Sequence, residues 1–473
     1  MTVLWFEAGA SRDIIVKAIL IGVTLLGAAT VGVLQPSVSL LYLVFLAALL
    51  LIPVALSLDA ERLILGALGI VMFSRLLVAL GAPSLLNYAH FGVALIALMK
   101  LVERRQSGIG SVAFDAGLIG LTLVTIASAV GNGLFGLRPA LFWLSITEPF
   151  LFLALMTGME EASRKRLRGF ILAFAIIQLP FAGLQFLMHG IGDDVKGTLV
   201  GQGAGHHILG AICVIAGVVI IARARRKGHL DLILWVLAGV LLSVGIFSDA
   251  KQVYSALALA AIPFAPSLFR LRVASLLPLG VLLAVVMVGG AQFYSPLART
   301  FDVDVVRETA ERKLDQNLDV ASEIGWGGSF LGLGPGNGLS RVALTTVPGY
   351  GHVPPGILGE DQPAHLASVT LASYPATRLS SASSPFSSWL GIYTDVGVLG
   401  LLMYIVLGLW AWNTLARSRP NDRDMGRLLL LLAVVLGFVF LWLDEASFMI
   451  YLAVAIGTYL PQRHAEQSTH SES

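Results

Sequence analysis

Apolar windows of about twenty residues, the length a helix needs to span a hydrocarbon core of ~30 Å, recur almost from one end of the chain to the other. They begin near Ile14, Val38, Glu61, Leu85, Val112, Ala140, Gly169, His206, Leu230, Gln252, Val273, Phe386, Arg427 and Ala446. The pattern predicts an all-α, polytopic helical bundle of about 14 membrane helices, with 12 to 14 as the range. The windows near Leu85 and Ala446 are short or interrupted by polar residues. The first, Ile14 to Leu34, is longer than the core of a signal peptide and has no clear cleavage site after it, so it reads as a retained helix.

One long polar interruption breaks this rhythm between the expected eleventh and twelfth helices. The resulting divisions are 1–292 for the first eleven helices, 293–385 for the loop, 386–461 for the last three helices and 462–473 for a polar tail. A loop of that length exceeds what a connection requires, and long loops usually carry function. Inside it, Val306, Ala310, Leu314, Leu318 and Ala321 recur at helical spacing, which predicts an amphipathic helix over Asp302 to Ile324. A glycine-rich turn follows over Gly327 to Gly338. The section Val347 to Pro385 is rich in Pro, Gly and Ser without periodicity and is expected to lack regular structure.

Composition agrees with a membrane protein. The chain is 56% hydrophobic and 13% charged, with a mean hydropathy of +0.83, too few charges to cover a soluble globule of 473 residues. A net charge of +2 gives no reason to expect a nucleic-acid partner, and the single cysteine, Cys213, excludes an internal disulfide or a thiolate metal cluster. The basic clusters Lys100–Arg105, Arg164–Arg168, Arg223–Lys227, Arg270–Arg272 and Arg417–Arg427 fall on alternate connections. By the positive-inside rule they share the cytoplasmic side, which puts the long loop outside and both termini in the cytoplasm.

Ionisable groups at membrane depth are costly and are functional candidates by default. Under this topology Arg75, Glu148, His206, His207, Lys251 and Asp395 lie from mid-membrane to the outer end of their helices, with Asp444 and Glu445 at an outer end as well. Bland readings stand beside each of these. Arg75 and Glu148 are compatible with a structural ion pair, the histidines with an interfacial helix start, and Lys251 with a snorkelling side chain. The loop holds nine acidic and six basic residues, so an anionic ligand would need basic groups gathered locally. No internal repeat is visible, which counts against an inverted-repeat transporter.

Three elements carry a family likeness. They are the turn Ser248-Asp249-Ala250-Lys251-Gln252, the stretch Leu331-Gly332-Leu333-Gly334-Pro335-Gly336-Asn337 in the long loop, and the helix Leu390-Gly391-Ile392-Tyr393-Thr394-Asp395-Val396-Gly397-Val398-Leu399-Gly400-Leu401. In this order, from about Gly197 onward, the chain resembles the O-antigen polymerase and O-antigen ligase superfamily. The resemblance implies a GT-C-like fold and a metal-independent glycosyltransferase at the outer face of the bacterial inner membrane. No cofactor is implied, and the donor is an oligosaccharide linked to undecaprenyl diphosphate. The implied partners are the bilayer, the lipid-linked glycan, a flippase and a chain-length regulator. The chain departs from the family in having Lys251 where an arginine is common, and Ser383-Ser384-Pro385-Phe386 where ligases carry histidine and asparagine. The second departure favours a repeat-unit polymerase, with a ligase, a lipid-linked oligosaccharide flippase or a non-catalytic scaffold as alternatives.

The chemistry so implied is displacement at an anomeric carbon by an acceptor hydroxyl, which needs a base and positive charge for the diphosphate. For the base the candidates are His365, then His206, His207 or Glu148. For the diphosphate and sugar they are Lys251, Arg75, Arg341, Gln252, Asn337 and Asp395. No metal ligands are expected.

Overall fold

In lipid a backbone meets its hydrogen-bonding needs internally, and a helix does this within one segment. A computed structural model of the chain describes residues 57–106, 111–201, 204–227, 232–264, 303–347, 364–373 and 386–461, and all its regular elements among these are helical. The helix windows expected near Ile14, Val38 and Val273, the serine-rich stretch before Phe386 and the C-terminal tail lie outside the described residues. The chain divides into two compact units, Met1–Leu63 and Ile64–Ser473. In the first, Asp59 Oδ1 accepts the Arg62 N–H at 2.7 Å, at the start of helix α1 (Ala60–Ala79).

In the second unit a 3-10 turn (Ser84–Tyr88) leads into α2 (Ala89–Gln106), followed by α3 (Val112–Gly131), α4 (Arg138–Met156), α5 (Glu161–His189), α6 (Gly205–Lys227), α7 (Leu232–Phe247) and α8 (Lys251–Ala261). The long-loop region supplies α9 (Val303–Glu323), α10 (Gly325–Leu331), α11 (Arg341–Thr345) and α12 (His365–Ser373). Last come α13 (Ser388–Ala416), α14 (Pro420–Val439) and α15 (Ala446–Gly457).

Among the described residues seven helices are long and apolar enough to cross a membrane: α1, Leu86–Arg105, α3, α4, α5, Gly205–Arg223 and α13. The chain is a multi-pass helical membrane protein. Helices α4 and α6 form its interior, with 83% and 89% of their apolar windows buried. Helix α3 instead presents Ile119, Leu123, Ile126 and Val130 on one outward stripe. Such a stripe would be unfavourable in water and is at home in lipid.

The described part of the long loop is folded. Val320 of α9, Leu344 of α11, and Leu366 and Leu371 of α12 share one apolar core with Phe386, Leu390 and Leu441. Fully burying a side chain of this kind contributes roughly 1.5–3 kcal/mol. Helix α12 corrects the expectation of irregular structure through Val347 to Pro385. Its buried residues, Leu366, Ala367, Thr370 and Leu371, repeat at a four-residue interval, but within nine residues and among proline, glycine and serine the interval is too brief to register as a period. Residues 348–363 and 374–385 lie outside the described residues.

Candidate functional site

Helix α13 is broken at Gly397, whose φ of 67° and ψ of −171° interrupt the helical hydrogen bonding. The carbonyls upstream of the break accept other donors. Leu333 N–H donates to Thr394 O at 2.8 Å, Gly334 N–H to Asp395 O at 3.2 Å, and Ser128 Oγ to Asp395 O at 3.1 Å. Glycine is required on both sides of this seam. A Cβ at Gly397 would stand 2.2 Å from Phe330 O, and one at Gly332 would stand 2.4 Å from Asp395 O.

The glycine-rich stretch then closes around the Asp395 carboxylate. Gly336 N–H donates to Oδ1, and Ser340 donates its N–H to Oδ2 at 3.2 Å and its hydroxyl to Oδ1 at 3.0 Å. Beside it, Thr394 Oγ1 accepts Leu339 N–H at 2.9 Å. Successive N–H groups of a glycine-rich turn form a cradle for an anion, and the anion this cradle holds is a carboxylate of the same chain. Asn337 is anchored by Nδ2 to Leu333 O at 3.1 Å and accepts Arg138 Nη1 at 3.4 Å. Arg138 is 1% exposed and was not singled out from sequence. A lone arginine just before a proline at the head of an apolar helix was the available signal.

Ser340 also caps α11, and the next residue ties the loop to the α14–α15 connection. Arg341 N–H donates to Asp444 Oδ2 at 2.6 Å, its Nη1 meets Glu445 Oε2 at 2.6 Å, and its Nη2 donates to Leu441 O at 3.2 Å. Burial pushes the Asp444 carboxyl upward, and the Arg341 charge opposes that shift. Arg341, Asn337 and Asp395 therefore belong to one polar cluster.

A second cluster surrounds the start of α6. His206 and His207 are buried with ring centroids 3.8 Å apart, and His206 Nε2 lies 3.3 Å from Asp193 Oδ1. Gly210, one helical turn after His206 and so on the same face, touches the Lys251 turn: a Cβ there would meet Ala250 Cβ at 2.1 Å and Ser248 Oγ at 3.0 Å. Gly192 N–H donates to Phe247 O at 3.1 Å, which joins the Asp193 segment to the same turn. Lys251 and Gln252 open α8 at this point.

The remaining candidates lie on α12, α1 and α4. His365 is exposed at the start of α12. Arg75 is half-buried in α1. Glu148 is 1% exposed, and its described ion-pair partner is His90, at 2.9 Å.

Three further arginines lie at the other end of the bundle. Arg104 Nη1 donates to Leu155 O at 2.8 Å at the end of α4, Arg168 Nη2 to Thr458 O at 2.7 Å after α15, and Arg164 to Leu460 O. The loop cluster meets α4 and α15 at their opposite ends, at Arg138 and Glu445. Helix α5 starts at the basic end and runs 29 residues, about 43 Å at 1.5 Å per residue, before the chain reaches Asp193 and His206. Both polar clusters thus lie at the end away from Arg104, Arg164 and Arg168. No protein-family model matches the chain, and no curated protein does.

Proposed function

We propose that this chain is a metal-independent membrane glycosyltransferase that polymerises undecaprenyl-diphosphate-linked oligosaccharide repeat units of a surface polysaccharide. In this reading it is a GT-C-like bundle of 12 to 14 spans in a bacterial inner membrane. Its site faces the periplasm and its termini the cytoplasm.

The observation that carries the reading is the packing of the Lys251 turn against the α6 face that holds His206, at the end of the bundle opposite Arg104, Arg164 and Arg168. Such a place suits a donor whose lipid lies in the outer leaflet and whose diphosphate lies at its surface. The Lys251 ammonium meets the diphosphate as a point charge, with Arg75 and Arg341 in support. Arg341 is already compensated by Glu445, so the larger share of the leaving-group charge falls to Lys251. The folded loop forms the roof of the site and the platform for the acceptor sugar.

The test is incubation of the purified protein, with chelator present, with an undecaprenyl-diphosphate-linked repeat unit. A ladder of multiples is expected. Substrate that binds but is never lengthened, even after addition of a lipid A-core acceptor, contradicts both polymerase and ligase and favours a flippase.

A further inference from the structure

Glu148 and His90 join two packed helices, α4 and α2, inside the bundle. Their side chains are 1% and 8% exposed. His90 Nδ1 stands 3.1 Å from Glu148 Oε1 and 2.9 Å from Oε2. Two carboxylate oxygens converging on one nitrogen is the arrangement of an ionised acceptor around an N–H. A protonated carboxyl would offer that nitrogen a single hydroxyl. This geometry fits a proton on Nδ1, which in the neutral ring leaves the free lone pair on Nε2.

The pair is a poor choice if its purpose is only to bind two helices. Apolar residues of similar volume do as well or better than a buried ion pair, and a carboxylate at membrane depth costs roughly 2.5–3.5 kcal/mol on insertion scales. Pro149, the next residue, has no N–H for the Ser145 carbonyl, so one helical hydrogen bond is missing here. An oriented imidazole backed by a carboxylate is, by contrast, how a neutral base is held in one tautomer and its cation stabilised.

We propose that His90, oriented by Glu148, is the general base of the transfer reaction and takes the acceptor hydroxyl's proton on Nε2. The proposal rests on the glycosyl-transfer reading above. As the acceptor oxygen bonds to the anomeric carbon, its proton passes to Nε2. The anomeric C–O bond to the diphosphate breaks, and its electron pair leaves on the phosphate oxygen. Glu148 meets the charge of the imidazolium, which later returns the proton to water. His90 touches the acceptor. Glu148 acts through it and is a positioning residue, not the base itself.

Two measurements test this. In protein labelled with 15N-histidine, with His90→Gln identifying the signal, His90 at pH 8 is expected to carry its proton on Nδ1 and none on Nε2. A protonated Nε2 overturns the assignment whatever the activity. In the polymerisation assay His90→Gln is expected to lower kcat by roughly 10²–10⁴-fold, the usual contribution of a positioned base. Glu148→Gln keeps the shape and an acceptor oxygen, so it is expected to lower kcat with KM unchanged and melting close to wild type. Wild-type kcat in both variants, beside an active wild type, overturns the base and leaves the glycosyl-transfer reading standing. A wild type that lengthens no lipid-linked glycan overturns that reading and the role of His90 with it.

Discussion

Ser340 holds Asp395 twice, through its backbone N–H at 3.2 Å and its hydroxyl at 3.0 Å. Both residues are buried, at 2% and 0% exposure. Asp395 belongs to the broken helix and Ser340 to the long loop, so this contact fastens the loop to the bundle.

Removing the carboxylate leaves the Gly336 and Ser340 N–H groups buried without their acceptor, at a cost of about 1–3 kcal/mol each. Asp395→Ala is therefore expected to lower the melting temperature in detergent and to speed proteolysis in the loop before the helices unfold. Unchanged melting and cleavage would mean that the loop is held by its apolar core alone.

Two glycines of α13 are expected to behave oppositely. Gly397→Ala forces a left-handed φ of 67° on alanine, at a cost of about 1–3 kcal/mol, and drives Cβ to 2.2 Å from Phe330 O. Gly408 has nothing within 4 Å of its Cβ position, so Gly408→Ala is expected to be neutral or to stabilise by up to about 1 kcal/mol. Thermal unfolding of the two variants side by side checks this, and equal effects would contradict the seam described at Gly397.

Arg341 and Glu445 form a half-buried pair, with side chains 28% and 6% exposed. Breaking a buried pair from one side costs about 3–5 kcal/mol, and the exposure of Arg341 puts Glu445→Ala near the lower figure. The double variant Arg341→Met with Glu445→Leu is expected to lose less than Glu445→Ala. A double-mutant cycle that shows simple additivity would sink this account of the pair.

Lys313 of α9 donates to Val439 O and is half-buried. Burial, aided by the nearby Arg312 charge, lowers its pKa from 10.5 to about 8. Between those values the docked helix holds fewer protons than the released one, so docking strengthens as pH rises from about 8 towards 10.5. Below 8 both forms are protonated and this group adds no further pH dependence. The ratio of loop proteolysis rates in wild type and Lys313→Met reports the effect. A ratio flat from pH 7.5 to 10 is the contrary result.

Much of the bundle was legible because a membrane helix announces itself by length and apolarity. Described helices overlap the windows expected near Glu61, Val112, Ala140, Gly169, His206 and Phe386. The amphipathic spacing of Val306 to Ala321 falls within α9. Pairings between distant residues were not legible. The sequence suggested Arg75 as a partner for Glu148, whereas helix packing brings His90 to it across 58 positions. The glycine-rich turn could be seen as a possible anion cradle, but only the break at Gly397 turns the Asp395 carboxylate and the freed carbonyls of α13 towards it.

The most direct measurement compares wild type and Lys251→Ala, each purified with chelator present, on an undecaprenyl-diphosphate-linked repeat unit, with product length resolved. The account predicts a ladder from wild type and none from Lys251→Ala at equal expression and melting temperature. A full ladder from Lys251→Ala would remove Lys251 from the site. The absence of any ladder from wild type, with substrate bound, would contradict the polymerase itself.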